Sequence, residues 1–290
     1  MLTFAHISTI TAKVMNKKVW FVTGCSRGMG QSLVKELLQQ GYPVAATSRK
    51  RESLTALFGE ESNGFYPVAM DLTKEEDVRR VIGEVKAKFG RIDVVVNNAG
   101  YTHLATIEEL SDHDAKTLFG INVFGTLNVI RNVLPTMRQQ HSGHIFNVSS
   151  LGAYNVGPLS GLYCATKHAV KAISETLAQE VAQFGIRVTD VKPGFIRTEF
   201  FGQSFATTIP EGSPYADLYR QNMEFYMGQN GTQIGDPVKV ARLYIQLAEM
   251  ENPPVNMPMG TDSVDGIRQI CADTVKAMDE IRPLAATTNF

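Results

Sequence analysis

The stretch GLYCATKHAV places a phenol and an ammonium, Tyr163 and Lys167, one helical turn apart. Residues i and i+4 share a helix face, so both side chains can enter a single cleft. A tyrosine hydroxyl ordinarily titrates near 10, too high for easy proton exchange at neutral pH, and a cation within about 4–6 Å favours its phenolate. Lys167 supplies such a cation, which makes Tyr163 a candidate general acid or base. Ser150 ends the apolar run GHIFNVSS, where a hydroxyl can hold the oxygen of a reacting group; Ser149 points to the opposite face of that strand.

A second kind of chemistry is written near the start. KVWFVTGCSRGMGQSLVKELLQQG reads as a strand, a glycine-rich turn and an amphipathic helix carrying Leu33, Val34, Leu37 and Leu38. Gly24, Gly28 and Gly30 let the backbone turn tightly and approach a pyrophosphate, with Ser26, Arg27 and Met29 between them. The helix beginning near Gly28 aims free N–H groups and its positive end at the anion.

These residues need a frame. Strand-length apolar runs recur in KVWFVTG, YPVAATS, GFYPVAMDL, RIDVVVNNAG, GHIFNVSS and IRVTDVKPG, several apolar at consecutive positions as parallel strands covered on both faces are. Helical periodicity fills the gaps, for instance Leu118, Ile121, Phe124, Leu127, Ile130 and Leu134 between residues 111 and 139. The alternation specifies an α/β fold with a doubly wound parallel sheet and helices on both faces. A helix is predicted from about Pro237 to Glu249, then a short strand in VNMPMG and a closing helix in SVDGIRQICADTVKAMDEI. We read residues 15–290 as a single domain, residues 1–14 as a disordered leader with Met15 as an alternative start, and about 198–232, rich in Phe, Tyr and Met, as a helical substrate lid.

Composition narrows the function. A formal charge of −1 lacks the basic footprint of a nucleic-acid binder. No apolar stretch is long enough to span a bilayer, and the first residues lack the parts of a secretory signal. Cys25, Cys164 and Cys271 are scattered and odd in number, which points to a reducing, cytoplasmic setting; Cys164 reads as a packing residue. His103, His113, His141, His144 and His168 are not spaced as a metal cluster, and no metal is expected.

The segment TGCSRGMG resembles the TGxxxGxG motif of the short-chain dehydrogenase/reductase family. Further motifs occur in that family's order: NNAG (Asn97 to Gly100), N-V-x-G (Asn122 to Gly125), NVSS (Asn147 to Ser150), YxxxK (Tyr163 to Lys167) and PG (Pro193, Gly194). The resemblance covers residues 18 to about 200 and implies a Rossmann-type domain that transfers hydride with a nicotinamide cofactor. Ser150, thirteen residues before Tyr163, matches the family's catalytic serine. Asn122 matches the asparagine that kinks its helix and anchors a water leading to the lysine. The resemblance gives Tyr163 the proton transfer, Lys167 the nicotinamide ribose, and Thr198 the carboxamide. It adds Asp71, Leu72, Asn97, Ala99, Gly100, Pro193, Gly194 and Ile196 to the cofactor contacts; an N-cap role for the DLT stretch at Asp71 is an equal alternative.

In such folds an acid after the second strand binds the ribose of NAD, whereas arginine accommodates the 2′-phosphate of NADP. Here Ser48 and Arg49 occupy that position and Arg27 lies in the cradle, so NADP(H) is expected; the competing reading makes Arg49, Lys50 and Arg51 a solvated helix start. Tyr101, Leu151, Tyr154, Phe195, Phe200 and Phe201 are candidate substrate contacts, for an apolar ketone, aldehyde or secondary alcohol of aromatic or steroid size. The lid and tail are loosely similar to hydroxysteroid and retinol dehydrogenases. The family implies a homodimer or homotetramer built on helices near 111–139 and 161–184. The alternatives are a non-catalytic NADP(H) sensor, which commonly lacks the tyrosine or lysine, and a nucleotide-sugar epimerase or dehydratase, which usually has a different glycine spacing.

Overall fold

The computed structural model describes residues 17–201, 205–206 and 209–290, with only the backbone at 201, 205 and 206; the expectation for residues 1–14 lies outside the described residues. Seven parallel strands form the central sheet: β1 (Trp20–Val22), β2 (Val44–Ser48), β3 (Phe65–Ala69), β4 (Val94–Asn97), β6 (Gly143–Val148), β7 (Ile186–Pro193) and β9 (Asn256–Met259), in the order β3-β2-β1-β4-β6-β7-β9. Two more, β5 (Thr102–His103) and β8 (Phe205–Ala206), pair with each other beside it.

Alternation along the strands divides the core. Trp20 and Val22 point to one face, where they meet Leu33, Leu37, Val240 and Tyr244 from α1 (Gly28–Gln39) and α8 (Pro237–Glu249). Phe21 and Val95 point to the other, against Val81, Val129, Val133 and Leu177 from α3 (Glu75–Phe89), α5 (Thr126–Gln140) and α6 (Gly161–Val181). Both faces are sealed, which is why the strands are apolar at successive positions. The remaining helices are α2 (Arg51–Phe58), α4 (Asp112–Phe119), α7 (Ala216–Gln229) and α9 (Thr261–Ala285).

Two expectations change. The helix predicted through 111–139 is interrupted by a π-helical segment, Gly120–Gly125, between α4 and α5. An extra residue in a helical turn rotates the side chains after it about the helix axis, so Phe124 is 56 % exposed while Val123 is buried. Asp71 does not cap α3. The N-cap is Lys74, without a side-chain bond, and the Asp71 carboxylate accepts from Thr73 N at 3.0 Å and Thr73 Oγ1 at 2.6 Å, closing a turn before the helix.

The chain leaves β1 toward β2 and β3 on one side and crosses back to β4 on the other. A crevice opens at such a switch point, beyond the C-terminal strand ends, and ligands of open α/β sheets bind there.

Candidate active site

A cavity of about 850 Å³ fills that crevice. Its first wall is the turn after β1. Gly24 has φ +72°, and a side chain there would put a Cβ 2.7 Å from Ala99 Cα, so the turn and the NNAG loop touch through backbone. Thr23 Oγ1 accepts from Asn98 N and Ala99 N, each at 3.1 Å, and Asn98 Nδ2 donates to Thr23 O at 3.0 Å and Gly24 O at 3.1 Å. α1 then starts with neither a side-chain cap nor an acidic residue in its first turn. Gly28 and Met29, at its start, line the cavity, and the free amides of a helix's first turn are a site that an anion satisfies. This donor set fits a pyrophosphate.

Arg27, Ser48, Arg49, Asp71 and Leu72 line the same end of the cavity, as do Gly24 and Ser26. Arg51 is engaged elsewhere, with Glu60 at 3.2 Å, so of the basic run after β2 Arg49 is the residue at the cavity wall. Gly30 lies behind the wall. A Cβ there would approach Asn98 Nδ2 and Gly24 O to 2.5 Å, so its smallness serves the packing of α1 on the cradle and not direct contact. Asn97 is likewise behind: buried, it donates from Nδ2 to Asn147 Oδ1 at 2.8 Å. The next residue, Asn98, takes the cavity position expected of it, because neighbours at a strand end face opposite ways.

Ser150, Tyr163 and Lys167 meet at the middle of the cavity. Lys167 is buried, its Nζ donates to Val148 O at 2.8 Å, and it lies 5.6 Å from the centroid of the Tyr163 ring. Desolvation lowers the lysine to about 8, opposed by the Asp190 carboxylate. Desolvation also pushes the Tyr163 phenol up to about 12, opposed by its hydrogen bond with Ser150. Among the chain's own groups burial is the largest influence on Tyr163, and it favours the neutral phenol, which is able to donate a proton.

Asn122 stands behind this cluster in the π-helical segment. Its amide donates to Tyr101 O at 3.0 Å and Thr166 Oγ1 at 3.1 Å and accepts from Tyr101 N at 3.2 Å, which ties the loop after β4 to α6. A Cβ on Gly100 would lie 3.2 Å from Asn122 Oδ1 and 3.6 Å from Lys167 Nζ, so Ala99 and Gly100 form a bare wall between cradle and lysine.

Beyond Tyr163 the turn after β7 contributes Pro193, Gly194, Phe195, Ile196 and Thr198. It is pinned from α9, where Asp262 Oδ2 accepts from Phe195 N at 2.6 Å. Tyr101, Leu151 and Phe200 also line the cavity, and the Phe200 ring centroid is 6.4 Å from that of Tyr163. The Phe201 side chain lies outside the described residues. Tyr154 does not line the cavity and is corrected as a substrate contact: its ring centroid lies 5.3 Å from Lys171 Nζ and 5.9 Å from Lys192 Nζ. Lys192 is itself paired with the buried Asp190 at 2.6 Å.

Sequence reading missed Leu104, Asn155, Ser160, Cys164, Asn222 and Tyr226, all at the cavity wall. Only Tyr226, in the aromatic-rich segment, and Cys164, beside Tyr163, carried a local signal; the others reach the site through tertiary packing.

The comparisons with known proteins agree with this geometry. Residues 18–208 match the family model described as short chain dehydrogenase. An oxidoreductase of Botryotinia fuckeliana is 39% identical over 267 residues, 91% of this chain and 96% of that one. A short-chain dehydrogenase from Streptomyces avermitilis superposes with a TM-score of 0.85 at 33% identity, covering 95% of this chain and 100% of its own. Another, from Burkholderia cenocepacia in complex with NADP, gives 0.70 at 26% identity, covering 92% and 98%. With the glycine cradle, the seven-stranded parallel sheet and the Ser150–Tyr163–Lys167 cluster already in place, these matches lead to one conclusion: the chain is an oxidoreductase of the short-chain dehydrogenase family.

Proposed function

We propose that the chain interconverts an apolar ketone or aldehyde and its alcohol with NADP(H), Tyr163 acting as general acid in reduction and general base in oxidation. The observation that carries this is the convergence of Ser150, Tyr163 and Lys167 in one cavity whose other end is a capless helix terminus flanked by Arg27 and Arg49. The two arginines support NADP(H) over NAD(H), as does the NADP complex of the Burkholderia relative. When bound, the reduced nicotinamide supplies hydride to the carbonyl carbon.

Ser150 Oγ donates to the carbonyl oxygen and orients it. Tyr163 transfers its phenolic proton to the same oxygen, so the carbon gains hydride, the oxygen gains a proton, and an alcohol leaves. Lys167 holds the ribose hydroxyls and stabilises the phenolate left on Tyr163, while Asn122 fixes the loop and helix that carry these groups. Gly24, Ser26, Gly28, Met29, Asp71, Leu72, Ala99, Gly100 and the turn from Pro193 to Thr198 hold the rest of the cofactor, with about 198–232 as the lid.

We extend the proposal to a homo-oligomer in a reducing, cytoplasmic setting, supported by exposed Phe124 beside α5 and by three cysteines that are all free thiols. A non-catalytic sensor is the alternative for the same fold. The deciding experiment follows NADPH oxidation with a panel of apolar ketones and aldehydes: turnover that disappears in Tyr163→Phe, with NADPH binding retained, is expected. Retained turnover in that variant overturns the role of Tyr163, and tight NADPH binding without turnover in the wild type favours the sensor.

A further inference from the structure

Resting on the reductase reading above, we infer that this chain selects carbonyl substrates that are electrically neutral near the reacting group, and discriminates against carboxylates and phosphates. Among the described residues, the cations on the cavity wall are Arg27, Arg49 and Lys167. Arg27 follows β1 and Arg49 follows β2, which stand two and three strands from β6, the strand that ends at Ser150. At about 4.8 Å per strand, that is roughly 10 and 14 Å across the sheet. Both therefore stand on the cofactor side of the sheet, strands away from a carbonyl held by Ser150. The third, Lys167, is committed to Val148 O at 2.8 Å and to the ribose under the proposed mechanism.

The wall around Ser150 and Tyr163 is apolar at Leu104, Leu151, Phe195, Phe200, Phe225 and Tyr226. Its polar members include the uncharged Asn155, Ser160 and Asn222, and the carboxylate side chain among its described residues, Glu199, would repel an anion. The basic side chains of the covering segment are turned away. Arg197 spends its guanidinium on Gln233 O, at 2.9 and 3.1 Å, and Arg220 pairs with Asp217.

An anion placed on this wall loses its water and gains no countercharge, which is costly. A neutral oxygen is accommodated. Asn222 donates one N–H to Leu218 O at 2.9 Å and keeps a second N–H and its amide oxygen for a hydroxyl, ester or second carbonyl.

The test compares ethyl benzoylformate with benzoylformate, which differ in charge beside the ketone and also in its electrophilicity, so the kinetic ratio is read together with the binding ratio below. With the full chain and saturating NADPH, kcat/KM is expected to be at least 100-fold higher for the ester; an acid used within threefold of the ester, or better, overturns the inference. The same pair is titrated by calorimetry into Tyr163→Phe loaded with NADPH, whose reduced nicotinamide ring is neutral; no turnover is expected in that variant. At least tenfold tighter binding of the ester supports the inference, and equal or tighter binding of the acid overturns it. Ester binding without wild-type turnover would sink the reductase reading and leave the charge preference standing. Introducing a cation by Asn222→Lys or Asn155→Lys should narrow the ester-to-acid ratio at least tenfold; a ratio unmoved by both overturns the placement of the substrate on this wall.

Discussion

The two ends of the cavity are built by different rules. The cradle end is backbone: Gly24 against Ala99, Asn98 stitched to Thr23 and Gly24, and the bare start of α1. The far end is side chains gathered from four places, with Leu104 after β5, Asn155 before α6, Phe195 after β7 and Asn222 on α7. A pyrophosphate is a constant ligand that backbone N–H groups can serve, so that end needs few residue types at fixed spacing. A substrate varies, and the far end varies with it through loops and a covering helix.

Substitutions at each end should separate the two kinds of recognition. Between them, at the reacting oxygen, Ser150→Ala is expected to lower kcat for carbonyl reduction by about 10²–10³-fold, measured by NADPH absorbance, while the Kd for NADPH changes little. Equal losses in both would make Ser150 part of the cradle. Arg49→Asp should weaken NADPH about 100-fold, because a charge-assisted hydrogen bond to the 2′-phosphate becomes a repulsion, and weaken NADH far less. Equal losses for both cofactors would reject the phosphate contact.

A smaller effect comes from pH. Lys167 is lowered to about 8, so it is charged below that pH and loses its proton above it. The kcat/KM for NADPH reports groups of the free enzyme and should be flat below about pH 7, falling by up to about tenfold per unit above 8. A profile flat to pH 10 would mean that the charge on Lys167 is not needed for cofactor capture.

The same contrast explains what the sequence disclosed. Strands buried on both faces announce themselves by consecutive apolar residues, as VVVN in β4 does, and the glycine turn, YxxxK and the PG turn each lie within a few residues. The family resemblance marked Asn122 as the place of a kink, but periodicity did not show the π-helical turn, in which Asn122 bonds Tyr101 and Thr166, partners far off in the chain. The β5–β8 pair joins two dipeptides about a hundred residues apart, too short for any periodicity. Asn97 and Asn98 are identical in type, and only the register of β4 decides which faces the cavity. Tyr154 and Asn155 pose the same problem at the turn after Leu151–Ala153. At Tyr163 spacing reveals the neighbouring cation but not the desolvation that acts on the phenol in the opposite direction.

The most direct measurement supplies NADPH carrying deuterium at the transferable C4 position, with ethyl benzoylformate, and examines the product by mass spectrometry. The account predicts a hydroxy ester with one deuterium on the carbinol carbon for the wild type, and no product above background for Tyr163→Phe although that variant still binds NADPH. Deuterated product formed at the wild-type rate by Tyr163→Phe would contradict it.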